Sequence, residues 1–169
     1  MKRNSSAAIK KLTRTAIIAA MYVALTFLSS LAGLASGAIQ LRLSEMLCIL
    51  PVFLPEGVLG LFLGCLLSNL LTGCAVWDII FGSLATLIGA LGAYLLRKLP
   101  DKLIFISTLP TVFANGLIIP AVLILVYGVP DAYYFLMLTV GAGEIISAAV
   151  GGTALYFMIK KSKINGILK

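Results

Sequence analysis

The chain has 169 residues, 61% of them hydrophobic and only 11% charged, with a mean hydropathy of +1.12. A soluble domain is about 45–50% apolar, so this composition excludes a water-soluble fold and leaves no room for a second, soluble domain. The net charge of +7 is not a nucleic-acid footprint, because the basic residues sit at the edges of apolar runs, where lipid headgroups and topology account for them.

There is no histidine, which removes the commonest general base and metal ligand. Cys48, Cys65 and Cys74 lie within apolar stretches or at the end of one and lack Cys-x-x-Cys spacing, so neither a zinc site nor a disulfide framework is indicated. No metal or cofactor is expected. No paired acidic motif and no serine-based motif points to an intramembrane enzyme.

In chain order, a basic N-terminus (1–14) carries Lys2, Arg3, Lys10, Lys11 and Arg14. The apolar run 15–35 follows, with no small-residue cleavage site before Gln40, and reads as a retained first span. Ala16, Ala20 and Ala24 form a smooth stripe along it. Small residues allow close helix approach in lipid, so this stripe suits either internal packing or a docking face for another membrane subunit. Gly33 with Gly37, and Gly60 with Gly64, repeat the spacing and read as internal packing.

A polar patch, 37–45, separates this run from 46–54, which Pro51 and Pro55 bracket. A crossing helix needs about 20 apolar residues, so this second run spans only if Glu45 and its neighbours lie inside the membrane envelope. Four more runs follow: 57–72, 76–96, 103–126 and 132–159, the last containing Gly141, Gly143, Gly151 and Gly152. Glu56 and Asp131 read as charges at helix N-termini. The expected architecture is an all-α membrane protein of six transmembrane helices in one domain.

Basic residues test that count. Twelve of the thirteen fall in three clusters: the N-terminus, Arg97 with Lys98 and Lys102, and the C-terminal segment 160–169. Six spans put all three clusters on one side, which the positive-inside rule makes the cytoplasm, with both termini inside. Tyr94 and Tyr156 then fall near the inner boundary. Tyr127, Tyr133 and Tyr134 fall at the outer one, as interface anchors or as caps over a pocket.

The exceptions to this greasy pattern are Arg42, Glu45, Asn69, Trp77, Asp78, Asn115 and Glu144. A charge inside hydrocarbon costs about 2.5–3.5 kcal/mol on insertion scales, and membrane proteins retain such charges mainly where they bind or move something. With the spans threaded as above, all seven lie in the outer half of the bundle, which predicts a solute-binding pocket open to the outside. Structural alternatives stand beside this. Arg42 and Glu45, three apart, can pair with each other; Asn69 and Asn115 can bond across helices; Asp78 can cap its helix; Trp77 can be an interfacial anchor. Glu144, deep and with no basic neighbour in sequence, is hardest to assign a structural role.

Residues 42–57 (RLSEMLCILPVFLPEG), 60–65 (GLFLGC) with Asn69, 77–87 (WDIIFGSLATL) and the pair Gly143-Glu144 resemble the QueT family, a branch of the substrate-capture (S) components of energy-coupling factor transporters. The likeness covers nearly the whole chain. It implies uptake of queuosine precursors, queuine or smaller deazaguanine bases, across a bacterial plasma membrane. It implies partners: one transmembrane coupling subunit, which meets the Ala16, Ala20, Ala24 stripe, and two cytoplasmic ATPases. It also implies an extracellular lid loop over the pocket, 36–45. Glu144 or Glu45 would read the base edge, Asp78 an ammonium, Asn69 and Asn115 the remaining polar atoms, and Trp77 would stack on the ring. An S component for riboflavin or thiamine, or a stand-alone secondary transporter, is the alternative. No Walker motif occurs, so any ATP-driven transport needs partners.

Overall fold

The computed structural model describes residues 2–34 and 41–162, and among these every regular element is helical. Six rods follow one another. The first helix, Lys2–Leu31, continues through the basic tail instead of starting at the apolar run, and its thirty residues reach about 45 Å at 1.5 Å per residue. It stops at Gly33, whose φ of +69° lets the Gly33 and Leu34 amides turn back to the Ser30 and Ser29 carbonyls at 3.0 and 2.9 Å.

The second rod is a 3-10 helix, Leu43–Val52, that takes in Glu45. With about 2.0 Å of rise per residue instead of 1.5, its ten residues cover about 20 Å, which is how so short a run reaches deep into the bundle. Three residues per turn also give it three faces. Leu47 and Leu50 join a core cluster with Ile18, Tyr22, Leu54, Leu61, Cys65 and Ala90. Met46 and Ile49 meet the sixth rod, where a Cβ on Gly152 would lie 3.3 Å from the Met46 carbonyl oxygen. Glu45 and Cys48 take the third face. The rod is enclosed by protein, so its backbone need not match the lipid.

The third helix, Glu56–Leu71, lies flush on the first. A Cβ on Gly60 would fall 2.9 Å from the Thr15 carbonyl oxygen, and one on Gly64 would fall 2.7 Å from the Tyr22 Cβ. This pair works in internal packing, as the spacing predicts. The fourth helix is Val76–Leu95. The fifth rod winds as 3-10 over Asp101–Thr108 and as α over Leu109–Leu125. The sixth, Tyr133–Lys161, is α to Glu144, π over Ile145–Gly151, and α again from Gly152.

Four rods are long and apolar enough to cross a membrane: Ser6–Leu31, Val76–Leu95, Asp101–Leu125 and Tyr133–Lys161. The ten-residue and sixteen-residue rods are shorter than that. The expected six full spans are therefore corrected to six rods with four of spanning length. The reason is geometric: the second rod has only ten residues, too few to cross even at the larger 3-10 rise, and Pro55 and the Gly73 turn close off the third.

Hydroxyls within the rods bond their own helix. Thr26, Ser29, Ser30, Ser83 and Thr86 each donate to the carbonyl four residues back, which satisfies them without water. At one end of the bundle Asp101 accepts from Tyr156 at 2.8 Å and pairs with Lys160, tying the fifth rod to the sixth.

Candidate functional site

The first, third and fourth helices, the fifth rod and the start of the 3-10 segment surround a polar cavity of about 370 Å³. Thr26, Arg42, Asn69, Asp78 and Tyr127 supply its polar lining, and Ile119, Leu123 and Val129 its apolar wall. This is within the usual size range of small-molecule sites.

Arg42 enters where the chain turns into the 3-10 segment, and it is half-buried. The expected alternative, a local pair with Glu45, does not form: the two Glu45 oxygens are taken by other groups. Glu45 is instead fully buried, where one oxygen accepts from the Tyr22 hydroxyl and the other from the Cys48 thiol at 3.2 Å. With both oxygens occupied, Glu45 supports the site from behind and does not line the cavity. The Thr26 and Ser44 hydroxyls bond each other at 2.9 Å beside it. The first helix thus holds the segment that presents Arg42, whose guanidinium faces the cavity with no carboxylate partner within ion-pair distance.

Asp78 is buried on the first turn of the fourth helix, yet its carboxylate caps no helix amide. It accepts from the Tyr127 hydroxyl at 3.3 Å, and that hydroxyl accepts in turn from the Ala75 amide at 3.2 Å. Partial burial, with the Asp78 carboxylate beside it, holds the Tyr127 phenol above its ordinary value, so it stays a donor. Asn69 donates to the Asp78 backbone carbonyl at 3.4 Å and to the Cys65 sulfur at 3.6 Å. It therefore crosses between helices and lines the cavity at once.

Arg42 and Ile119 also border a second, deeper pocket of about 10 Å³, closed by Asn115, Val140 and Glu144. Asn115 and Glu144 come from the fifth and sixth rods and are 4% and 6% exposed. The Asn115 Nδ2 and the Glu144 Oε2 have no hydrogen-bond partner.

Trp77 is placed otherwise than expected. It is 54% exposed and stacks on Phe81 with centroids 6.0 Å apart. Its groove is the apolar one it shares with Leu84, Leu117 and Leu125. The correction has a simple cause: neighbouring residues on a helix point about 100° apart, so Asp78 facing inward turns Trp77 outward. Tyr133 donates to the Leu117 carbonyl at 2.8 Å, and Tyr134 is exposed, so of the three outer tyrosines Tyr127 lines the cavity. The lid residues 36–40 lie outside the described residues, 41–42 lead into the 3-10 segment, and 43–45 form its start. The sequence reading missed Tyr22. Its signal was a phenol in mid-span, which needs a buried partner.

On the outside of the bundle, Ala16, Ala20 and Ala24 are exposed. With Val23, Leu63, Leu67 and Leu71 they floor an apolar groove of about 630 Å³ between the first and third helices. The stripe is therefore not consumed by internal packing.

A family model described as QueT transporter matches residues 12–161. A protein of Lactococcus lactis subsp. cremoris (strain MG1363), named queuosine precursor transporter QueT, is 41% identical over 73 residues, 43% of each chain. The match thus spans less than half of that relative's length. No solved structure matches.

Proposed function

The chain belongs to the QueT transporter family, a family of transporters and not of enzymes, and from that premise we propose that it is the substrate-capture subunit of an energy-coupling factor importer for queuosine precursors. The substrate class follows the name of the Lactococcus lactis relative. The carrying observation is that Arg42, Asn69, Asp78 and Tyr127, from separate elements, meet around one polar cavity. Buried ionisable groups in a membrane bundle are costly unless they serve a solute.

In this reading the chain is a multi-pass protein of the bacterial plasma membrane with both termini in the cytoplasm, which the three basic clusters support. Queuine or a smaller deazaguanine base enters from outside past the lid loop, 36–45. Asp78 attracts the cationic amine of the base, Asn69 and Tyr127 bond its remaining polar atoms, and Glu144 with Asn115 lies below. Glu45 holds the frame and leaves the reading of the base edge to Glu144. Trp77 contacts lipid. The chain has no phosphate-binding loop, so two cytoplasmic ATPases supply the energy through a coupling subunit. That subunit docks on Ala16, Ala20 and Ala24, whose exposed apolar groove suits a partner helix.

The test is calorimetric titration of the purified chain with queuine and with the aminomethyl deazaguanine base. Saturable binding is expected, weakened about tenfold or more by Asp78→Asn, since hydrogen bonds to charged groups are worth about 1.5–3 kcal/mol. If the intact, folded chain binds neither base, the reading is overturned.

A further inference from the structure

The functional reading above gives the base edge to Glu144 and leaves open which edge it is and how the neighbouring groups read it. Three polar groups converge on a void of about 10 Å³, about the space of a single water-sized probe. They are an acceptor, the Glu144 Oε2, a donor, the Asn115 Nδ2, and the Arg42 guanidinium. The first two are buried and close to one another, and neither atom has a hydrogen bond within 3.5 Å. A buried polar group without a partner costs about 1–3 kcal/mol, so a donor and an acceptor left open side by side, at the bottom of a cavity, are a mould for a ligand that presents the complementary pair. The apolar sides of the mould, Ile119 and Val140, offer no competing polar contact. Glu144 is also the last α-helical residue before the π segment Ile145–Gly151. Wide π turns are frequent at functional sites.

We infer that this deep pocket is the specificity subsite and that it reads a lactam edge. A ring N–H of the bound base donates to the Glu144 Oε2, and the adjacent ring carbonyl accepts from the Asn115 Nδ2 and from Arg42. The donor–acceptor order matters. A base carrying an exocyclic amine in place of that carbonyl sets its own N–H groups against those of Asn115 and Arg42. Its bare ring nitrogen then faces the Glu144 carboxylate, so both contacts become repulsive. Arg42 borders both the outer cavity and this pocket, so one guanidinium registers the carbonyl while the rest of the base occupies the larger space. This inference rests on the proposed deazaguanine substrate and specifies which edge of it goes down.

The experiment needs no variant. The purified chain is titrated with an aminomethyl deazaguanine base and with its matched analogue in which an amine replaces the ring carbonyl. The analogue is expected to bind roughly a hundredfold more weakly or worse, as sites built around a specific hydrogen bond reject ligands that cannot make it. Asn115→Asp, which exchanges the donor for an acceptor, is expected to shrink that ratio at least tenfold, and its melting temperature is recorded to establish that it is folded. Equal affinity of the parent chain for both bases overturns the lactam subsite while leaving the transport reading intact. Failure of the parent chain to bind either base overturns both.

Discussion

Asp78, Tyr127 and Arg42 illustrate how single side chains set the chemistry of the cavity. The Tyr127 hydroxyl is the hinge of a relay from the Ala75 amide to the Asp78 carboxylate. Tyr127→Phe removes a donor to a charged acceptor, so ligand affinity is expected to fall by about tenfold, with the melting temperature nearly unchanged because the residue is largely exposed; titration and thermal unfolding of the same sample check both. Tyr22→Phe has the opposite profile. It leaves one oxygen of the fully buried Glu45 without its donor, at a cost of about 1–3 kcal/mol. Thermal unfolding in detergent should show a lowered midpoint before any ligand is added. These charged and amide residues are visible in the sequence because they interrupt hydrocarbon. Their division of labour is not. Arg42 and Glu45 three residues apart read naturally as a pair. The fold instead gives Glu45 a phenol and a thiol from other turns and leaves the guanidinium facing the cavity.

Among the elements, the first helix does two jobs on two faces. Its inner face meets Gly60 and Gly64 of the third helix and hydrogen-bonds the 3-10 segment through Tyr22 and Thr26. Its outer face carries the exposed Ala16, Ala20 and Ala24. Substitutions on the two faces are therefore expected to separate. Gly64→Val drives a side chain into the Tyr22 Cβ, which would lie 2.7 Å from the new Cβ, and should destabilise the fold by about 1–3 kcal/mol, seen as a lower unfolding midpoint. Ala20→Trp adds bulk on an exposed face of the helix. It should leave the unfolding midpoint within about 0.5 kcal/mol of the parent and prevent co-purification with the coupling subunit. The alanine and glycine spacings look alike in the sequence, and only the rotation of the helix about its axis tells the exposed stripe from the packing stripe. The 3-10 winding of the second rod was likewise not legible. A run too short to cross as α-helix gains length from the larger rise per residue, and periodicity over ten apolar residues does not report the rise.

For the molecule as a whole, the sequence carries no phosphate-binding loop, so the proposed ATP-driven transport needs ATPase partners. In cells expressing the chain with a coupling subunit and two ATPases, uptake of radiolabelled queuine is expected, and an ATPase variant unable to hydrolyse ATP should abolish accumulation while binding by the purified chain persists. Accumulation in proteoliposomes of the chain alone under a proton gradient would refute the coupling-factor reading in favour of secondary transport. Membrane residence, helical class, the order of the rods and the residue types able to form a site all follow from composition and hydropathy, because each is a property of a segment taken by itself. Tertiary structure alone decided four further matters: that four rods among the described residues have spanning length, that Trp77 faces outward, that Glu45 braces while Arg42 presents, and that Asn115 and Glu144 share a pocket. Each of these depends on how helices are wound and rotated against one another, and burial of one face against a neighbour sets that rotation, which no single segment encodes.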